Sequence, residues 1–203
     1  MRAVGLFAAH NFLLGTGTIL VYVAATVLLL GHDPGRALPL AYGAGALATL
    51  AVGWLYGRCE HHWALQRLAG RALAAAAVLV LVLGALLGWG PSVGVAVAIM
   101  AGYRLIYLLT SLEFWGMSAV VFNVRQGRRL FGVISAGDLP AKALGAGLAV
   151  FVHAQHALYG LLLTAFGAYL LALVVQRATF RAQAAARPGP PPAEEAPGPG
   201  PRR

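Results

Sequence analysis

The sequence predicts an all-α, polytopic membrane protein: six transmembrane helices as two inverted three-helix repeats, then a disordered C-terminal tail. Composition is the first observation behind that reading. The chain has 203 residues, 60% hydrophobic before its 26 glycines are counted and only 10% charged. An average soluble domain is about 45–50% apolar with glycine included and about 25% charged. A soluble chain of this size has no core able to hide so much apolar surface, so the excess must face lipid. The second observation is six apolar runs near the roughly 20 residues that cross a bilayer. The third is that the basic residues gather between those runs on one side.

The first span, residues 4–30, is too long and too polar, with His10 and Asn11, to be a cleaved signal peptide. It ends at the turn Gly31-His32-Asp33-Pro34-Gly35, and the second span follows over 37–56. The third, 72–87, is short and is expected to borrow from Leu68–Arg71. The fourth, 92–121, would be about 45 Å long as a helix and must tilt or project from the bilayer. The fifth and sixth cover 132–152 and 157–175. Residues 1–180 form the transmembrane domain of this reading.

Residues 181–203 form its cytoplasmic tail, with seven of the eleven prolines and almost no bulky apolar side chain. Such a segment cannot recover the entropy of ordering and is expected to be disordered. A polyproline ligand is the functional alternative for it.

Orientation comes from counting arginines. Arg2 precedes span 1; Arg58, Arg67 and Arg71 fill the second loop; Arg125, Arg128 and Arg129 fill the fourth. Arg177, Arg181, Arg187, Arg202 and Arg203 follow span 6, and the opposite side has Arg36 alone. The positive-inside rule then puts both termini in the cytoplasm of a cell (inner) membrane, which requires an even number of spans. The formal +9 charge reports topology. With no basic patch interleaved with aromatics, nucleic-acid binding is not expected. The single cysteine, Cys59, excludes an internal disulfide and a cysteine-based metal cluster.

The stretch Leu38-Pro39-Leu40-Ala41-Tyr42-Gly43-Ala44-Gly45 resembles Leu139-Pro140-Ala141-Lys142-Ala143-Leu144-Gly145-Ala146-Gly147, at an offset of 101 to 102 residues. Spans 2 and 5 correspond if spans 1–3 and 4–6 are two units, and an odd number of spans per unit makes the units inverted. Spans 3 and 6 are nearly featureless and read as outer, lipid-facing helices. In span 1, Asn11, Gly15, Thr18 and Tyr22 fall on one helical stripe. That stripe is either a packing seam of small and hydroxyl residues or one wall of an aqueous cavity.

Four charges lie within the spans: Arg104 and Glu113 in span 4, Asp138 and Lys142 in span 5. Each costs at least about 2.5–3.5 kcal/mol in hydrocarbon unless it is paired or lines a cavity. Arg104, Tyr107 and Ser111 share a face and are candidates, with Asn11, Thr18 and Tyr22, for the wall of a solute cavity. Asp138 and Lys142 are spaced to pair along one helix face. Glu113, about 180° from Arg104 around the helix, is expected to meet span 5 or the second loop. The competing reading makes all four charges structural ion pairs between spans 4 and 5.

Polar helices 1 and 4, apolar helices 3 and 6 and basic cytoplasmic loops together resemble one half of a major facilitator superfamily transporter. Gly53-Trp54-Leu55-Tyr56-Gly57-Arg58-Cys59-Glu60 stands where that superfamily carries a Gly-x-x-x-Asp-Arg motif, although the Asp-Arg pair is absent. Glu113-Phe114-Trp115-Gly116, then Asn123-Val124-Arg125-Gln126-Gly127-Arg128-Arg129-Leu130-Phe131-Gly132, then Ser135-Ala136-Gly137 is similar to the ATP/ADP antiporter (nucleotide transporter) branch. The resemblance marks Trp115, Gly116, Arg125, Arg129 and Phe131 as motif residues. It implies secondary transport of a small, anionic or nucleotide-like solute by alternating access. The helix-1 lysine of the nucleotide exchangers has no counterpart here.

Such transporters have about twelve helices, so the length reads as one half, truncated or pairing with itself or with a second six-helix unit. Gly53/Gly57 and Gly84/Gly88 permit close helix packing. No cofactor is implied, and no nucleophile elbow, H-E-x-x-H or Walker loop occurs in the sequence. His153 and His156 have spacing for two metal ligands but no third, so no metal site and no enzyme are expected. The alternative function is a non-transporting membrane assembly or regulatory subunit.

Overall fold

The computed structural model describes residues 2–90, 92–121 and 138–186, and every regular element among them is helical. The helices are α1 (Arg2–Leu30), α2 (Pro34–Glu60), α3 (Leu65–Leu87), α4 (Val93–Val121) and α5 (Asp138–Ala186). Five stretches are long and apolar enough to cross a membrane: Gly5–Leu30, Pro34–Glu60, Leu65–Leu87, Val93–Val120 and Leu158–Ala184. A sixth, Leu139–Ala154, is apolar but shorter. The protein is therefore a membrane-embedded helical bundle.

Local chemistry sets the first boundary. Asp33 takes a left-handed backbone (φ 43°) and so reverses the chain after α1. Pro34 then opens α2 at a position where a missing N–H costs nothing. The Asp33 carbonyl accepts from the amides of Arg36 and Ala37 at 3.1 and 3.0 Å. The α2 helix thus starts three residues before the expected span. Likewise α3 starts at Leu65, well before 72.

One expectation is corrected at the C-terminal end. The fifth and sixth spans remain distinct apolar stretches, Leu139–Ala154 and Leu158–Ala184, although helical hydrogen bonding runs through both for 49 residues. That run also continues through Ala186, six residues into the segment expected as tail, while residues 187–203 lie outside the described part. The helix is not straight. A Cβ added to Gly145 would overlap Ile19 and sit 3.3 Å from the Cα of Thr16, and one added to Gly17 would lie 2.9 Å from the Tyr169 ring. Residues 145 and 169 would be about 36 Å apart along a straight helix. Both nevertheless touch the same turn of α1, so α5 folds back on itself between them. Its two halves flank α1 side by side, as two antiparallel spans would.

The α1 helix is the centre of the bundle. Of its apolar stretch 61% is buried inside the protein, against 11% for α2. It packs on both halves of α5 and on α4, while α4 also packs on α2 and α3. Spans 3 and 6, expected as outer lipid-facing helices, do present most of their surface outward, but α2 is more exposed than either, presenting Leu47, Leu50 and Trp54 outward. The reason is that helix contact in a membrane rewards small side chains more than apolar ones. Ala69, Ala72, Ala76 and Ala77 give α3 a smooth buried face, whereas α2 offers only a narrow seam of Ala37, Ala41 and Gly45.

The close crossing at Gly145 gives a direct test. Gly145→Ala forces Ile19 and α1 outward and should destabilise the bundle by about 1–3 kcal/mol. Gly147→Ala, with nothing within 4 Å of the added methyl, should be neutral or slightly stabilising. Thermal unfolding of the two variants in detergent checks the contrast.

Candidate functional site: an intramembrane cavity beside a buried His–Glu–Gln cluster

A cavity of about 210 Å³ opens between α1, α4 and the first half of α5. The α1 helix contributes Asn11, Leu14, Gly15 and Thr18, the lower part of the polar stripe. From α4 come Tyr107, Thr110 and Ser111 with the rings of Phe114 and Trp115, and α5 adds Lys142. Among the described residues of this lining, Lys142 is the single charged one. The walls combine an amide, several hydroxyls, an ammonium and aromatic rings, which together suit a small polar or anionic solute.

Thr18 is held in place from behind. Its hydroxyl donates to the Leu14 carbonyl at 2.8 Å. The Tyr169 hydroxyl, 3.0 Å away, must therefore donate to Thr18 Oγ1. Tyr169 is fully buried with its ring against Gly17, so the second half of α5 fixes the cavity-facing turn of α1.

Next to the cavity lies a second polar group, closed to the exterior. His10 of α1 and Glu113 of α4 are both fully buried and hydrogen-bonded, with Nε2 at 2.9 Å from each carboxyl oxygen. His10 Nδ1 lies 3.1 Å from the Ala172 carbonyl of α5. A carbonyl only accepts, so Nδ1 carries a hydrogen and donates it. Gln176, one turn further along α5, donates its amide to Glu113 Oε1. Three helices thus meet at one carboxylate.

Among the residues expected in a cavity wall, Asn11, Thr18, Tyr107 and Ser111 lie together in this lining. Tyr22 and Arg104 do not. Tyr22 packs at a tilt against Tyr103 with ring centroids 5.1 Å apart, and the Arg104 guanidinium lies 4.7 Å above the Tyr42 ring of α2. Arg104 follows α2 because Gly45 leaves room for its stem, which a Cβ there would approach to 3.1 Å.

Among the described residues, the hydrogen-bond partners of Glu113 are His10 and Gln176, where span 5 or the second loop was expected. At its depth in the bundle, antiparallel α1 and α4 bring His10 opposite it instead. Lys142 lines the cavity, and its expected pairing with Asp138 involves a side chain outside the described residues. Trp115 is in the lining, whereas Gly116 packs against Leu65 and the Tyr56 hydroxyl. Arg125, Arg129 and Phe131 lie outside the described residues.

Sequence reasoning passed over His10, Gln176 and Tyr169. One signal could have found the first. His10 lies eight residues from the start of α1 and Glu113 eight from the end of α4, so antiparallel packing puts them at the same depth. Among the described residues no cluster of three or more His, Cys, Asp or Glu gathers to hold a metal.

Fold and site together define a membrane-embedded helical bundle with a polar cavity and a buried ionisable cluster. No family model, no curated protein and no solved structure matches the chain.

Proposed function

We propose that the chain is a half-size secondary transporter of the major facilitator type, which moves a small anionic solute by alternating access. The observation that carries this reading is the cavity: an ammonium, an amide and hydroxyls are gathered within helices otherwise built to face lipid. Polar groups at such depth are costly and mark solute or ion paths. Lys142 supplies the attraction for an anion, Asn11, Thr18 and Ser111 supply orienting hydrogen bonds, and Tyr107 and Trp115 supply flat surfaces.

The inverted-repeat part of the reading is supported by the tightest helix contacts. A shift of 85 residues carries Thr16, Gly17 and Ile19 of α1 onto Ala101, Gly102 and Arg104 of α4. Gly17 touches Tyr169 as Gly102 touches Leu83, and Gly145 touches Thr16 and Ile19 as Gly45 touches Ala101 and Arg104. Such a correspondence is what a two-fold relation taking α1 to α4, α2 to the first half of α5 and α3 to the second would produce. Gly45 and Gly145 are 100 residues apart, one or two off the 101–102 offset of the matching segments. These matched contacts support a reading as two inverted three-helix units.

A second six-helix unit, either a copy of this chain or a separate half, completes the transporter. Arg104, Tyr42, Tyr107 and Trp115 are exposed, and an arginine bare to hydrocarbon costs at least about 2.5–3.5 kcal/mol. Gly53 and Gly57 of α2 have nothing within 4 Å of an added Cβ, which leaves this small-residue pair open to another helix. The same faces would serve a non-transporting assembly subunit, the outcome favoured if the cavity binds no anion. With both termini cytoplasmic, α1 runs outward from the cytoplasm and the loop between α2 and α3 is cytoplasmic.

Equilibrium binding of radiolabelled succinate and ATP to the full chain in lipid nanodiscs tests the cavity. At least one should bind, and Lys142→Ala should weaken it roughly tenfold or more, the worth of a charge-assisted hydrogen bond. Binding by neither anion, or binding indifferent to Lys142, would count against the reading.

Cys59, the one cysteine and partly exposed, reports orientation. A membrane-impermeant maleimide should label it only after cells are opened. Labelling in intact cells would place the α2–α3 loop on the outside.

A further inference from the structure

The geometry points to a binding site for an anionic phospholipid where α2 meets α3, built from three outward-facing arginines and two exposed tryptophans. The site needs only the membrane-embedded fold, and it holds whether or not the chain moves a solute.

Charge balance is the first ground. Between residues 58 and 71 the chain carries Arg58, Arg67 and Arg71 against a single carboxylate, Glu60. All three arginines are exposed. Among the described residues, none of the three forms an ion pair. Glu60 is turned elsewhere: it stands about 200° from Arg58 around α2, on the side of Tyr56, whose phenol feels its charge. Arg67 and Arg71 lie one turn apart on one face of α3, where like charges repel. An anion from outside the chain relieves that repulsion.

The tryptophans set the depth of the charges. Arg71 is well inside α3, yet its guanidinium lies 3.8 Å from the ring centroid of Trp63, which precedes the helix. Its side chain therefore runs back toward the helix start, the direction in which helical side chains lean, and carries the charge down to the loop. Arg58 leans the other way, over the ring of Trp54 one turn deeper in α2, at 5.0 Å. Trp54 and Trp63 are both exposed, and tryptophans near the ends of spans mark the headgroup level of a bilayer. Stacking on a ring uses the flat face of a guanidinium. Its N–H edge is left for an oxyanion, and that fork matches a phosphate.

The surface beside the charges selects a lipid over free phosphate. On α2, the face of Arg58 and Trp54 continues into Leu50 and Leu47, both exposed. On α3, the face of Arg67 and Arg71 continues into Ala75, Val78 and Val82, also exposed. The spacing keeps each set on one helical stripe. Each helix thus presents a cation at the rim and an apolar stripe running into the bilayer, which is the outline of a phosphate followed by its acyl chains. A zwitterionic headgroup would bring its own ammonium among the arginines, so the fit is to a lipid of net negative charge.

Native mass spectrometry of the full chain in detergent, titrated with phosphatidylglycerol or phosphatidylcholine of identical acyl chains, tests the site. Wild type should bind phosphatidylglycerol more tightly. Arg67→Gln with Arg71→Gln should weaken that binding roughly tenfold or more, given what each arginine contributes at an anionic surface, and leave phosphatidylcholine binding unchanged. Arg177→Gln with Arg181→Gln removes the same charge from exposed positions on α5 and should leave the preference intact. All four positions are on the surface, and circular dichroism checks that both variants are folded. Millimolar glycerol phosphate should not displace the lipid.

Equal affinity for the two lipids would overturn the proposal, as would a preference that survives loss of Arg67 and Arg71. Equal losses in the two variants would reduce the effect to net charge and overturn it too. Displacement by glycerol phosphate would identify a site for soluble phosphate and overturn the lipid assignment.

Discussion

A carboxylate with no access to solvent must be neutralised where it stands, and in this bundle that requirement falls on Glu113. Its partners come from two other helices: His10 from α1, and Gln176 with the Ala172 carbonyl from α5. Once those contacts are made, the vertical register of α1 against α4 is set, and so is that of the second half of α5. The cavity follows from the same register. Thr110, Ser111, Phe114, Asn11 and Leu14 surround Glu113 and His10 in sequence, and they line the cavity because those two residues are turned into the bundle. Breaking the pair would leave a buried charge or a buried donor unsatisfied, which is dearer than the pair is worth when intact.

Around that cluster, the bundle is assembled by small residues. Gly17 accepts the Tyr169 ring, Gly102 accepts Leu83, and Gly45 and Gly145 let neighbouring helices cross at close range. Helices in lipid gain little from burying one apolar side chain rather than another, so contact area and hydrogen bonds decide the packing. This explains why α1, rich in polar and small residues, is central, while α2, with its leucines and tryptophan, is outermost. It also explains how a 49-residue run of helix ends up as two antiparallel arms clasping α1.

Much of this architecture was legible in the sequence. Helix number, order and approximate ends follow from apolar runs and from punctuation such as Asp33-Pro34, because hydropathy over 20 residues is a strong signal. Most of the Asn11–Tyr22 and Arg104–Ser111 faces was legible too, since Asn11, Thr18, Tyr107 and Ser111 do meet. What failed was the outcome of competition between partners. Arg104 had an aromatic ring on α2 available beside Gly45, and Glu113 had a histidine opposite it. A helical wheel shows the direction of a side chain but not which neighbouring helix lies there. Gln176 and Tyr169 were illegible for a related reason: in an apolar span each looks like an incidental polar residue until its partner is known.

The account depends most on the claim that His10 and Glu113 act as one buried unit between α1 and α4. A double-mutant cycle, His10→Gln and Glu113→Gln alone and together, with stability read from reversible unfolding in mixed detergent micelles, measures this directly. Coupling of about 1–2 kcal/mol is expected, at the upper end for polar pairs within membranes because both groups are fully buried. Single-variant effects that simply add, within about 0.3–0.5 kcal/mol, would contradict the claim and remove the constraint from which the register of the bundle is argued.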